Sequence, residues 1–172
     1  MKIKILIPIY NDWQSADKLI NKIDNLVKEI NHEFSVVIVN DGSSEIKSDK
    51  FGFSENLHSV QILNIKKNMG HARCIATGLK HIFQNGEFDY IIPMDGDGED
   101  RPEEIKIFID NLSYNPDTTI VGERVKRSEG IIFKLSYSIH KLITFIFTGK
   151  SIKFGNYTFL PKKTVEKLIN DK

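Results

Sequence analysis

Apolar residues along the chain alternate between short unbroken runs and helically spaced stripes. Ile3 to Ile9 is a run of strand length, interrupted only by Lys4 and Pro8. From Ser15 to Ile30, residues Leu19, Ile20, Ile23, Leu26, Val27 and Ile30 recur at helical spacing and define one face. The same alternation continues. Strands are expected at Phe34 to Val39, Val60 to Ile65, Tyr90 to Met94 and Thr118 to Val121. Helices are expected from Gly70 to Phe83 and from Pro102 to Leu112. Pro102 stands at a first-turn position, where its missing N–H removes no helical bond.

Strands that alternate with helices predict βαβ units, an α/β fold and a mostly parallel central sheet flanked by helices. In such sheets, ligands bind beyond the carboxyl ends of the strands. The polar clusters Tyr10-Asn11-Asp12, Asp41-Gly42-Ser43 and Asp95 to Asp100 each follow a strand directly. They are therefore expected to converge on one edge. After Gly122 the pattern changes. Ile131 to Thr148 is apolar and aromatic, interrupted by Lys134, His140 and Lys141, and is expected to form a long helix with one greasy face. A short strand within Phe154 to Pro161 and a helix from Lys162 to Ile169 close the pattern.

At 172 residues, the chain suits a single domain or one that lacks a piece. Hydrophobic residues at 40% and charged residues at 27% fit a globular protein rather than a disordered one. A net charge of +1 lacks the basic footprint of a nucleic-acid binder, so no nucleic-acid partner is expected. The single cysteine, Cys74, excludes an internal disulfide and fits a reducing compartment. Within the apolar run Ala72 to Leu79 it is expected to be a small buried hydrophobe rather than a nucleophile. No signal peptide is expected. Leu142 to Phe147, the most apolar stretch, falls far short of the ~20 residues a membrane span needs. These features predict a soluble or peripheral protein.

Asp95-Gly96-Asp97 carries the strongest chemical signal. Two carboxylates at i and i+2 on a turn can approach one cation, and hard oxygen ligands suit Mg²⁺ or Mn²⁺ bridging a diphosphate. A solvated acidic turn is the other reading. An EF-hand is excluded, because its sixth position would be Asp100 rather than glycine and its twelfth Lys106 rather than glutamate. Asp41 is placed to reach a ribose hydroxyl, or alternatively to bond its own turn. No G-x-G-x-x-G follows the first strand and no Walker A loop occurs, which weighs against dinucleotide cofactors and P-loop NTPases. Asn68-Met69-Gly70-His71-Ala72-Arg73 opens a helix, so its N–H groups and Arg73 suit a phosphate, or else cap the helix beside a surface arginine. Arg124 is a further phosphate candidate. Arg127 is better read as solvated charge.

Taken together, these segments resemble the family 2 glycosyltransferases with a Rossmann-like GT-A fold. The likeness is to the branch of dolichyl-phosphate mannose synthase and the undecaprenyl-phosphate sugar transferases. Ile7-Pro8-Ile9-Tyr10-Asn11-Asp12 is similar to the family's P-x-Y-N-E opening, with aspartate for glutamate. Val39-Asn40-Asp41-Gly42-Ser43-Ser44, Asn68-x-Gly70 to Gly78, Met94-Asp95-Gly96-Asp97 with Pro102-Glu103, Val121-Gly122-Glu123-Arg124, and Phe154-Gly155-Asn156-Tyr157-Thr158 follow in the family's order.

The resemblance implies a metal-dependent, inverting transfer of sugar from a nucleoside-diphosphate sugar, with UDP or GDP, to a polyprenyl-phosphate or glycan acceptor. It implies that Pro8, Tyr10, Asp12 and Asp41 line the base and ribose pocket, and that Asp95 and Asp97 hold Mg²⁺ or Mn²⁺ and the diphosphate. Gly70, Arg73 and Arg124 would lie near phosphates or sugar, and Asn156 on the acceptor side. It further implies a cytoplasmic setting at the inner face of the cell membrane; the greasy segment would pack under missing residues as core, or alternatively rest on the membrane surface as a peripheral contact. Family members extend beyond residue 172, so a single truncated domain is expected, with residues 1–124 the donor-binding half and 125–172 the start of the acceptor side. Two other functions remain open at this point. One is a haloacid-dehalogenase-type phosphatase, with Asp95 as nucleophile and Asp97 as acid–base. The other is a nucleotide-sugar-binding module without turnover.

Overall fold

The computed structural model describes residues 1–112, 116–122 and 157–170. In chain order the elements are β1 (Lys2–Ile9), α1 (Trp13–Val27), β2 (Glu33–Asn40), β3 (Ser59–Asn64), α2 (His71–Asn85), β4 (Tyr90–Pro93), a 3₁₀ turn (Pro102–Glu104), α3 (Ile105–Leu112), β5 (Ile120–Val121), β6 (Thr158–Pro161) and α4 (Lys162–Asn170). The sheet order is β3-β2-β1-β4-β6-β5. The first four strands are mutually parallel, and β6 runs antiparallel to β4 and β5. The α/β fold with a mostly parallel sheet expected from the sequence is thus observed.

Alternation along each strand sends side chains to both faces, and both faces are covered. Ile3, Ile5, Ile7 and Ile9 pack with Ala16, Leu19, Ile20 and Ile23 of α1 and with Ile105 and Phe108 of α3. Leu6 packs with Val37 and Val39 of β2, Cys74 and Leu79 of α2, and Val165 of α4 on the opposite face. Because β1 and β2 are buried from both sides, they read as continuous apolar runs rather than alternating ones.

Element ends differ from the sequence expectation for local reasons. Helix α1 begins at Trp13 rather than Ser15, because the Asp12 carboxylate accepts the Ser15 N–H at 3.4 Å and caps the helix. It ends at Val27 rather than Ile30. The helix expected from Pro102 divides into a 3₁₀ turn and α3. The strand expected from Thr118 is formed only at Ile120–Val121, and β6 begins at Thr158. The helix expected from Ile131 to Thr148 lies outside the described residues. Among the described residues, no helix is long and apolar enough to cross a membrane.

Candidate active site

The loops after β1, β2 and β4 meet at the carboxyl edge of the parallel strands, with the start of α2 beside them. Asn11 joins the first two loops. Its backbone adopts a left-handed conformation, φ 52°, which asparagine tolerates better than most residues. In that conformation its Oδ1 accepts the N–H groups of Ser44 at 2.8 Å and Glu45 at 3.1 Å, and its own N–H donates to Ser43 Oγ at 2.9 Å. Trp13 Nε1–H adds a bond to the Glu45 carbonyl at 3.0 Å.

The second loop is in turn fastened to α2. Asp41 is buried, and its carboxylate accepts the N–H groups of Met69 at 2.8 Å and Gly70 at 2.9 Å. Gly70, at φ 88°, occupies the N-cap position of α2 with no side-chain cap. The N–H groups of the first turn therefore face the same edge as the strand-end loops. Arg73 is exposed on that turn.

The third loop follows β4. Gly96 lies against β1: a Cβ there would come within 3.2 Å of Ile9 Cγ2 and 3.3 Å of the Pro8 carbonyl. Asp95 is partly buried and Asp97 exposed. His71 Nε2 of α2 stands 3.4 Å from Asp95 Oδ1, which brings the acidic turn and the start of α2 into direct contact. Asp97 Oδ1 accepts the Glu99 N–H at 2.9 Å. The buried Asp100 accepts the Asp95 N–H at 2.8 Å.

The structure thus gathers Pro8, Tyr10, Asp12, Asp41, Gly70, Arg73, Asp95 and Asp97 on or beside one edge. Tyr10 is half-exposed at the end of β1, and Asp12 serves as the α1 cap. Arg124 and Asn156 lie outside the described residues. Three residues that sequence reasoning did not single out, Asn11, His71 and Asp100, make the contacts that organise the edge. The positions of Asn11 and Asp100 within turn clusters were visible, but their partners are distant in sequence.

Among the described residues, no three His, Cys, Asp or Glu side chains close on a common point. A hard cation shared with a diphosphate takes only one or two protein carboxylates and fills its remaining positions with phosphate and water oxygens. Asp95 and Asp97, two carboxylates on one open turn, fit that pattern and could hold Mg²⁺ or Mn²⁺. Two open grooves of about 560 and 550 Å³ lie at the other end of the sheet, around Met1, Asp89 and Lys162. They are lined by charges of both signs and share no residue with the strand-end loops.

The glycosyl transferase family 2 model covers residues 4–165. The chain belongs to glycosyl transferase family 2. A relative in this family is the undecaprenyl-phosphate 4-deoxy-4-formamido-L-arabinose transferase of Klebsiella pneumoniae (strain 342), 28% identical over 161 residues. The match covers 91% of this chain and 46% of the relative, so the chain spans less than half the length of that protein. Among solved structures, mannosyl-3-phosphoglycerate synthase from Rubrobacter xylanophilus aligns with a TM-score of 0.66 at 12% identity, covering 95% of this chain and 54% of that one. Glucosyl-3-phosphoglycerate synthase from Mycobacterium tuberculosis, solved with Mn²⁺, UDP and glucosyl-3-phosphoglycerate, aligns with a TM-score of 0.63 at 10% identity, covering 94% and 57%. These structures share the GT-A fold with this chain. Family 2 membership sets aside the phosphatase reading of Asp95 and Asp97, since it assigns the acidic turn to a glycosyltransferase scaffold.

Proposed function

We propose that this chain is the donor-binding part of a metal-dependent, inverting glycosyltransferase that moves a sugar from a nucleoside-diphosphate sugar to a polyprenyl-phosphate or glycan acceptor. The observation that carries this reading is the meeting of Asp95-Gly96-Asp97 with the Asp41-fastened start of α2 on one sheet edge. Residues 1–124 form the donor half, and residues from 125 onward begin the acceptor side.

In this reading Pro8, Tyr10 and Asp12 line the base and ribose pocket, and Asp41 shapes its wall by holding the backbone at Met69 and Gly70. The first-turn N–H groups of α2 and Arg73 face the diphosphate, where a helix N-terminus favours negative charge. Arg124 supports the phosphates or the sugar, and Asn156 the acceptor. Asp95 and Asp97 hold Mg²⁺ or Mn²⁺, which neutralises the departing nucleoside diphosphate. A polyprenyl-phosphate acceptor is already anionic, so it attacks the anomeric carbon without the general base that a hydroxyl acceptor requires. The Klebsiella relative is named for an undecaprenyl-phosphate acceptor, which supports a lipid phosphate here and, with it, a site of action beside a membrane.

Calorimetric titration with UDP and GDP tests the reading, with and without Mn²⁺, on the wild type and on Asp97→Ala. Binding that needs both Mn²⁺ and Asp97 is expected, and it names the base. Binding that persists in Asp97→Ala or without Mn²⁺ removes the metal from the site. Binding of neither nucleotide removes the donor-site reading.

A further inference from the structure

Two carboxylates separated by one residue converge on a cation only if the peptide between them keeps one orientation. The Asp95-Gly96-Asp97 turn has a rigid floor in Gly96, pressed against β1. It also has two buried anchors. Asp100 is 2% exposed, and its Oδ2 accepts the Asp95 N–H at 2.8 Å. Tyr157 is 3% exposed, and its hydroxyl donates to the Arg101 carbonyl at 2.8 Å, although the two residues are 56 positions apart. Tyr157 is itself fixed. Its ring stands edge-on to Phe108 of α3, with centroids 4.9 Å apart, and its carbonyl accepts the Gly122 N–H at 2.9 Å.

Burying a carboxylate is unfavourable unless it is hydrogen-bonded. A loop that only had to turn could do so with the exposed Gly98, already at φ 82°, and would need no buried acid. The anchors grip the loop from its protected side, where they leave Asp97 exposed and Asp95 partly so.

We propose that Asp100 and Tyr157 are positioning residues that set the direction of the Asp95 and Asp97 carboxylates toward the divalent cation. This rests on the donor-site reading above. Partners behind metal ligands are typically worth about 10–100-fold in metal affinity.

The test uses Asp100→Ala, Asp100→Asn and Tyr157→Phe, the last removing a single oxygen and so leaving the packing in place. Hydrogen exchange of the Asp95 amide, followed by NMR without metal, reads the anchor directly. Titration of Mn²⁺, followed by the electron-spin resonance of the free ion, reads its consequence, and thermal unfolding reads the fold. Expected are loss of Asp95 amide protection and a roughly tenfold weaker Mn²⁺ affinity in Asp100→Ala, with most of both recovered in Asp100→Asn. Tyr157→Phe should weaken Mn²⁺ several-fold while keeping a cooperative melt. Lost amide protection with unchanged Mn²⁺ affinity overturns the proposal and leaves the donor site standing. Failure of the wild type to bind Mn²⁺ overturns both together.

Discussion

The carboxylate of Asp41, at the end of β2, accepts the backbone N–H of Gly70, at the start of α2, across 2.9 Å. With the parallel bond from Met69 at 2.8 Å, it fixes where α2 begins relative to the sheet. In Asp41→Ala the Met69 N–H would lose its acceptor, while the Gly70 N–H would keep its bond to Asn68 Oδ1 at 3.1 Å. One unsatisfied group of this kind costs roughly 1–3 kcal/mol, so a loss of about that size is expected. Asp41→Asn keeps one carbonyl oxygen as acceptor and should lose less. Urea unfolding of the three proteins checks the order. Equal midpoints for Asp41→Ala and the wild type would show that the bonds contribute nothing.

Three glycines on or near this edge should respond differently to alanine. At Gly42, φ is 73° and a Cβ would fall 2.7 Å from the Asn68 nitrogen, so strain and a clash with rigid backbone combine. At Gly78, a Cβ would fall 2.4 Å from a Leu6 methyl and 2.7 Å from a Val39 methyl inside the core, an overpacking that costs about 1–3 kcal/mol. At Gly70, φ is 88° and ψ 155°, a region nearly confined to glycine, but nothing lies within 4 Å, so only backbone strain of about 1–3 kcal/mol remains. Melting temperatures should therefore fall most for Gly42→Ala, where strain and clash add. A Gly70→Ala protein less stable than Gly42→Ala would contradict this account.

The sheet and its helices were legible because burial from both faces writes long apolar runs such as Ile3 to Ile9, and amphipathic helices write stripes such as Leu19 to Val27. The convergence of Asp41 and Asp95 was legible too, because chain direction in a parallel sheet places every strand end on one edge. The partners of these residues were not. Whether Asp41 meets a ribose or its own loop depends on the path of residues 64–70, which no local pattern encodes, and the structure gives its carboxylate to two backbone N–H groups. Asp100 looked like one more acid in a solvated turn, yet it is buried beneath Asp95. The antiparallel β6 was visible only as a short apolar run, since strand direction at a sheet edge leaves no mark on hydrophobic spacing.

Cys74 was expected to be a buried hydrophobe, and it is wholly buried, with its thiol donating to the Val39 carbonyl at 3.3 Å. Burial pushes its pKa up, with the Asp41 charge adding, to about 12. At pH 8 only about one molecule in ten thousand would carry the reactive thiolate. Native protein should therefore stay unlabelled by Ellman's reagent over an hour at pH 8 and react fully in denaturing urea. Rapid labelling of the native protein would show that α2 opens at Cys74.

Asp24 of α1 offers a pH-dependent test. Its carboxylate accepts the N–H groups of Asn56 at 2.8 Å, Leu57 at 3.0 Å and Glu55 at 3.4 Å, and the Asn56 side-chain amide at 2.9 Å. Burial raises the carboxyl pKa, but the bonds from Asn56, Leu57 and Glu55 outweigh it, and the net shift is below the ordinary 3.8. A pKa lowered by folding means that the folded state favours the ionised form. The resulting stability is present above the unfolded pKa and is lost as pH falls through the folded one. Asp24→Asn, which carries no charge and offers one acceptor oxygen, should be less stable than wild type by about 1–3 kcal/mol at pH 6. The gap between the two urea midpoints should narrow once the pH drops below 3.8, because the wild type alone must take up a proton and give up its acceptors. An unchanged gap at pH 6 and pH 2.5 would mean that Asp24 holds residues 55–57 by shape alone, with its charge contributing nothing.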